Sequence, residues 1–148
     1  MTSLPESTRK LSQSLTLGAC AAEVRAALAE VAAMLSAHQV SPEARGAIEL
    51  VLAEALNNIV EHAYAPATAG DIGLRVSLEG EQALLQVCDR GSAMPGLVLP
   101  EGRLKPLGHD RDLPEGGFGW YLIRKLASEV RYRRFGGENV LDIVMPLR

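Results

Sequence analysis

No stretch of this 148-residue chain is apolar for anything near the ~20 residues that a membrane span requires, so no membrane partner is expected. Positive charge is not in excess either: 15 Lys and Arg stand against 18 Asp and Glu, a formal net charge of −3. That leaves no electrostatic footprint for sequence-independent binding, and no direct nucleic-acid partner is expected. No glycine-rich run ends in Lys-Ser or Lys-Thr, so a Walker-type phosphate loop is unsupported. Cysteine is scarce, with only Cys20 and Cys88. Two thiols so far apart read as reduced and buried, ahead of a disulfide or a metal site, which fits a cytoplasmic protein. The start, Met1-Thr2-Ser3-Leu4-Pro5-Glu6, has no basic segment followed by an apolar one, so no secretory signal is expected.

What is present is enough apolar material for one core: 47% of the residues, in a length suited to a single domain. Residues 1–10 are polar and expected to be flexible, with the folded domain over 11–148. Leu11 to Leu17 alternates and predicts a strand, ended by Gly18. Ala21 to Ala37 is alanine-rich, with Val24, Leu28, Val31 and Leu35 at helical spacing. Ser41-Pro42-Glu43 reads as a helix start: a serine cap, proline at the first helical position, and an acid near the positive end. That helix should run to about Tyr64. Ile72–Leu78 and Ala83–Cys88 alternate around Glu79-Gly80-Glu81-Gln82 and predict a hairpin. Gly117–Ser128 looks helical, and 129–135 with 139–147 predicts a closing hairpin around Gly136-Gly137. The order implies an α+β two-layer sandwich: a mixed, mostly antiparallel sheet with helices on one face.

Residues 92–116 carry Pro95, Pro100, Pro106 and Pro114 and show no period. Loops longer than ~15 residues are uncommon in compact domains and are usually functional or disordered.

Three segments could do chemistry. The first is Glu54-Ala55-Leu56-Asn57-Asn58-Ile59-Val60-Glu61-His62-Ala63-Tyr64, on a mostly apolar helix. Glu54, Asn58 and His62 recur at four-residue spacing and so share one stripe, with Asn57 and Glu61 beside it. A solvated face accounts for Glu61. Two adjacent asparagines inside a helix need more than that, because asparagine is a poor interior helix residue. An asparagine amide oxygen is a neutral, hard ligand suited to magnesium. A glutamate one turn earlier can take a proton from an attacking hydroxyl or water. The second segment is Asp89-Arg90-Gly91-Ser92-Ala93-Met94-Pro95. Alone, Asp89 reads first as a turn aspartate. In a binding role it can accept a hydrogen bond from an exocyclic amine such as that of adenine, while Gly91 lets the backbone approach the base. The third is Glu115-Gly116-Gly117-Phe118-Gly119-Trp120-Tyr121-Leu122-Ile123. Gly117 and Gly119 open a helix whose free N–H groups suit phosphate, although a lone Gly-x-Gly is common and serves equally as a flexible loop end.

In this order, the three segments resemble the asparagine box and the two glycine boxes of the GHKL (histidine-kinase-like, Bergerat-fold) ATPases. The similarity is greatest to the short bacterial anti-sigma factors that are also serine-protein kinases in partner-switching systems. It spans about Leu11 to Leu147 and includes Leu126-Ala127-Ser128-Glu129-Val130-Arg131-Tyr132 and the Gly136-Gly137-Glu138-Asn139 turn. The resemblance implies ATP or ADP with Mg2+ as bound groups. It implies Glu54 as general base, Asn58 as magnesium ligand and Asn57 as a weaker nucleotide contact. Asp89 would read the adenine amine, with Gly91 and Met94 shaping that pocket. Gly117, Phe118 and Gly119 would lie at the phosphates beneath the lid. Among the lid's basic residues Arg103, Lys105 and Arg111, Arg111 is the one chosen for phosphate. His62 belongs to the asparagine box and either approaches the phosphates or makes a structural hydrogen bond. Arg25 stands where relatives carry an arginine facing protein partners, and reads equally as a surface charge. Ala93 departs from the pattern, where many members have a second glycine. His38 and His109 match nothing.

The activity so implied is ATP-dependent phosphorylation of a serine on an antagonist of the sulfate-transporter/anti-sigma-antagonist (STAS) type. A sigma factor or similar regulator would be the second partner, and a homodimer the expected assembly. Two alternatives stand beside it: a nucleotide-binding anti-sigma module without kinase activity, and the catalytic domain of a histidine kinase. A purely structural α+β domain is a third.

Overall fold

The computed structural model describes residues 10–63, 70–94 and 117–147. β1 (Lys10–Gly18) leads into α1 (Ala21–Ala37) and α2 (Pro42–Asn58), and α2 passes into a π-helical turn at Ile59–Ala63. β2 (Asp71–Glu79), β3 (Gln82–Asp89), α3 (Gly117–Leu126), β4 (Glu129–Phe135) and β5 (Glu138–Pro146) follow. The strands form one five-stranded sheet in the order β1-β2-β3-β5-β4, and all four pairings are antiparallel.

Local chemistry explains the elements. α1 ends at His38, with Gln39 in the left-handed region at φ 61. The N–H of Val40 reaches Leu35 O and that of Gln39 reaches Ser36 O, the paired bonds that close a helix end. α2 starts as its sequence predicts: Ser41 Oγ accepts the Ala44 N–H at 3.2 Å, with Pro42 in the first turn. Both hairpins turn through two residues. Gly80 takes φ 61 in one, and Gly136 and Gly137 take φ 63 and 75 in the other, a conformation that disfavours side chains.

One face of the sheet is apolar and covered by the three helices. Ile72, Leu74, Val76 and Leu78 of β2 are buried there beside Ala83, Leu85 and Val87 of β3 and Leu141, Ile143 and Met145 of β5. Val31 and Leu35 from α1, Ile48, Val51, Leu52 and Leu56 from α2, and Trp120 and Ile123 from α3 close over them. Each buried Val, Leu, Ile or Met side chain among them stabilises by about 1.5–3 kcal/mol relative to exposure, so this contact fixes the helices on the sheet. The other face carries Ser12, Arg75, Gln86 and Asp142, tied by side-chain hydrogen bonds.

Because side chains alternate along strands, each row of the register crosses the sheet on one face. The end row on the helix side reads Leu17, Ile72, Asp89, Asn139, Arg134. It begins apolar and becomes polar at β3.

Two expectations are corrected. The second helix does not continue as an α-helix to Tyr64 but changes to π geometry at Ile59. The cysteines are free thiols, yet not buried: Cys20 is exposed at the cap of α1, and Cys88 is half-buried on the polar sheet face.

Candidate functional site

The second and third sequence motifs are brought to the same end of the sandwich as the first. Ser128, just after α3, donates its N–H to Val144 O, at the end of the sheet remote from Asp89. The ten residues of α3 rise about 15 Å, and the five strand steps from Val144 to Asn139 rise about 17 Å. α3 therefore begins level with the Asp89–Asn139 row. The π-turn after α2 ends at Ala63, and the described chain resumes at Gly70, two residues before Ile72, the partner of Asp89.

Glu54 and Asn58 lie one turn apart on α2, both partly exposed. Opposite Glu54 is the start of α3. A Cβ built on Gly119 would lie 2.7 Å from Oε2 of Glu54 and 3.6 Å from its Cβ. The missing side chain at 119 thus lets a carboxylate sit against a helix N-terminus, whose unpaired N–H groups and positive dipole end favour negative charge. Residues 65 positions apart in sequence meet here, which spacing alone could not require.

The Asn58 amide has a buried Nδ2 with no hydrogen-bond partner among the described residues. A turn of the amide presents either this NH2 to a phosphate oxygen or the carbonyl oxygen to a cation at the same place. Among the described residues no three His, Cys, Asp or Glu side chains converge as an all-protein metal cage. One amide oxygen completed by phosphate oxygens and water is the arrangement that magnesium accepts, so these residues fit a magnesium nucleotide.

Asp89 is buried at the end of β3, and its Oδ1 accepts the Gly91 N–H at 2.8 Å within one tight turn. Met94 is partly buried against the core, and its N–H reaches Tyr132 Oη at 3.1 Å. Asn57 is exposed at the end of α2. His62 lies in the π-turn, exposed, with Nε2 3.6 Å from Glu61 Oε2. The wider π geometry takes His62 off the even four-residue stripe expected for it. Arg25 is exposed on α1. Gly117 and Phe118 form the first turn of α3. Arg111, with Arg103, Lys105 and most of the proline-rich loop, lies outside the described residues. Sequence reasoning missed Tyr132, Arg134 and Asn139, which surround the Asp89 turn. The one available signal was three polar-tipped side chains, Tyr132, Arg134 and Asn139, at inward positions of the closing hairpin, whose other inward residues are apolar.

A family profile described as the histidine kinase-like ATPase domain matches residues 17–145. The serine-protein kinase RsbW of Bacillus mycoides is 32% identical over 99 residues, covering 64% of this chain and 59% of the relative. The serine-protein kinase RsbW of Oceanobacillus iheyensis is 28% identical over 96 residues, covering 64% and 61%. The chain thus spans about three-fifths of the length of these curated relatives. Among solved structures, the RsbU and RsbW domains of a Mycobacterium tuberculosis protein match with a TM-score of 0.66 at 20% identity, over 92% of this chain and 32% of that one. At that identity the likeness is one of fold.

Proposed function

This chain belongs to the histidine kinase-like ATPase family, and on that premise we propose that it is an ATP-dependent serine-protein kinase and anti-sigma-type regulator. The observation that carries the reading is the Glu54 carboxylate seated against Gly119 at the start of α3, one helical turn from Asn58. That contact supports reading Glu54 as a base, the start of α3 as a phosphate-binding helix end and Asn58 as a neutral oxygen ligand.

The roles follow from the chemistry of each group. The first N–H groups of α3, at Gly117, Phe118 and Gly119, bind phosphate oxygens. Asn58 holds Mg2+, which when bound neutralises charge on the β- and γ-phosphates. Asn57 and His62 flank the nucleotide, and Arg111 from the lid meets phosphate. Asp89 accepts the adenine amine, with Gly91 and Met94 against the base. Glu54 takes the proton of the substrate serine hydroxyl as its oxygen bonds to the γ-phosphorus and ADP departs with the bridging oxygen. The substrate is a serine on a STAS-type antagonist. Phosphorylation adds about −1.5 to −2 charges and ejects that antagonist from its interface. The freed regulator, working in the cytoplasm as a homodimer, then holds a sigma factor or similar protein, with Arg25 on the partner-facing surface.

The test is incubation with labelled ATP, Mg2+ and the cognate STAS protein. Wild type should leave acid-stable phosphate on a serine, and Glu54→Ala should lower the rate about 10²–10⁴-fold, the usual worth of general-base catalysis. Transfer that survives the substitution would remove the base assignment. Binding of ATP with no transfer by wild type would make this a nucleotide-binding module, and acid-labile phosphohistidine would point to histidine kinase chemistry.

A further inference from the structure

Asn139 is buried, the second residue of β5, directly opposite Asp89 in the register. Its Nδ2 donates to Asp89 Oδ1 at 2.9 Å and to Ser92 O at 2.9 Å, with a longer contact to Gly91 O at 3.4 Å. Its Oδ1 accepts from Tyr132 Oη at 2.6 Å and from Arg134 Nη1 at 2.9 Å. Acceptors surround one end of the amide and donors the other, so only one orientation of the amide satisfies the set. Tyr132 then relays: its hydroxyl donates to Asn139 and accepts the Met94 N–H at 3.1 Å. Arg134 Nη1 also donates to Gly91 O at 3.0 Å. Three side chains of the β4–β5 hairpin therefore grip the Asp89–Met94 segment at its start, middle and end.

A purely structural polar plug would need only to satisfy its own groups. This one does something more specific. Both described hydrogen bonds to the Asp89 carboxylate fall on Oδ1, from the Gly91 N–H and from Asn139 Nδ2. Two donors on one oxygen fix the plane of the carboxylate and orient its second oxygen. We propose that Asn139, set by Tyr132 and Arg134, is a positioning residue that commits Oδ1 of Asp89 to the protein and presents Oδ2 to the amine of an adenine ring. The inference rests on the nucleotide reading above. It adds that base selectivity is set from β5 and β4, by residues outside all three motifs.

The consequence is selective for the base. With Oδ2 fixed as an acceptor, a ring bearing an amine is favoured over one bearing a carbonyl at the same position. Inosine triphosphate is that comparison, sharing sugar and phosphates with ATP. Equilibrium binding of ATP and of inosine triphosphate, both with Mg2+, is measured by calorimetry on wild type, Asn139→Ala and Tyr132→Phe. Wild type should prefer ATP. In Asn139→Ala that preference should fall about tenfold or more, as expected when a hydrogen bond to a charged group is lost. Inosine triphosphate binding should change little, whereas general destabilisation would weaken both nucleotides alike. If Asn139→Ala does not fold, Tyr132→Phe decides, because it removes one hydroxyl that serves both Asn139 and Met94. A preference retained in the deciding variant overturns the positioning role and leaves the nucleotide reading intact. A wild type that binds neither nucleotide, or both equally, overturns the nucleotide role of Asp89 itself.

Discussion

Alternation along β3 sends Asp89 toward the helices and its neighbour Cys88 to the polar face of the sheet. There Cys88 is half-buried, and its thiol is pushed above its ordinary pKa, first by burial and then by the carboxylates of Glu138 and Asp142, against the opposing effect of Arg133. A raised thiol pKa means that the folded state holds a proton that the unfolded state has lost. This contribution to stability is therefore intact below about pH 8.5, the ordinary thiol value, and declines as pH rises from there through the folded value. Reactivity follows the thiolate. Alkylation by iodoacetamide, read by mass spectrometry between neutral and alkaline pH, should mark exposed Cys20 first. The rate at Cys88 should still be climbing above about pH 8.5. Equal rates at neutral pH would contradict this placement. Nothing in the residues around either cysteine marks the difference. Cysteine's general preference for interiors suggested burial for both, whereas Cys20 follows Gly18-Ala19 at the cap of a helix, where side chains point to solvent.

At the level of elements, the seat of the Glu54 carboxylate between α2 and α3 depends on one absent side chain. Gly119→Ala places a methyl group against Oε2 of Glu54. The group in the way is the far end of a flexible side chain, so the carboxylate can swing aside. Alanine also favours a helix over glycine by roughly 0.5–1 kcal/mol. Stability should therefore stay within about 1 kcal/mol of wild type, while serine phosphorylation falls by up to about 10²-fold through a misplaced base. Thermal melting beside a phosphotransfer assay checks both halves, and an unchanged rate would show that Glu54 works elsewhere. Glu54 and Gly119 each stand in one of the three motifs, and the resemblance carried by the motif order implies that they share a site. Helix starts and hairpins were equally readable, because Ser41-Pro42, Gly80 and Gly136-Gly137 act within a few residues of themselves. The π-turn was not. Ile59, Val60 and Ala63 fit an α-helical and a π-helical face alike, and nothing local marks the extra residue in the turn.

For the molecule as a whole, the register hides from sequence what it builds. Asn139 meets Asp89 only because β5 inserts between β3 and β4, and that strand order is set by packing across the whole core. The same geometry divides the proposed site between two units: α2 and α3 hold the phosphate end, and β3 with the β4–β5 hairpin holds the base end. A ligand that bridges them binds the folded state alone. At 100 times its dissociation constant it should add about 2.7 kcal/mol of stability. In a domain of this size about 1 kcal/mol raises Tm by roughly 2–4 °C, so a rise of about 5–10 °C is expected with Mg2+ and ATP. Glu54→Ala should keep most of that rise, because a proton acceptor contributes to the rate more than to ground-state binding. A wild-type Tm that does not move at saturating ATP would mean that the two units share no ligand, and the motifs would then be packing residues of a structural α+β domain.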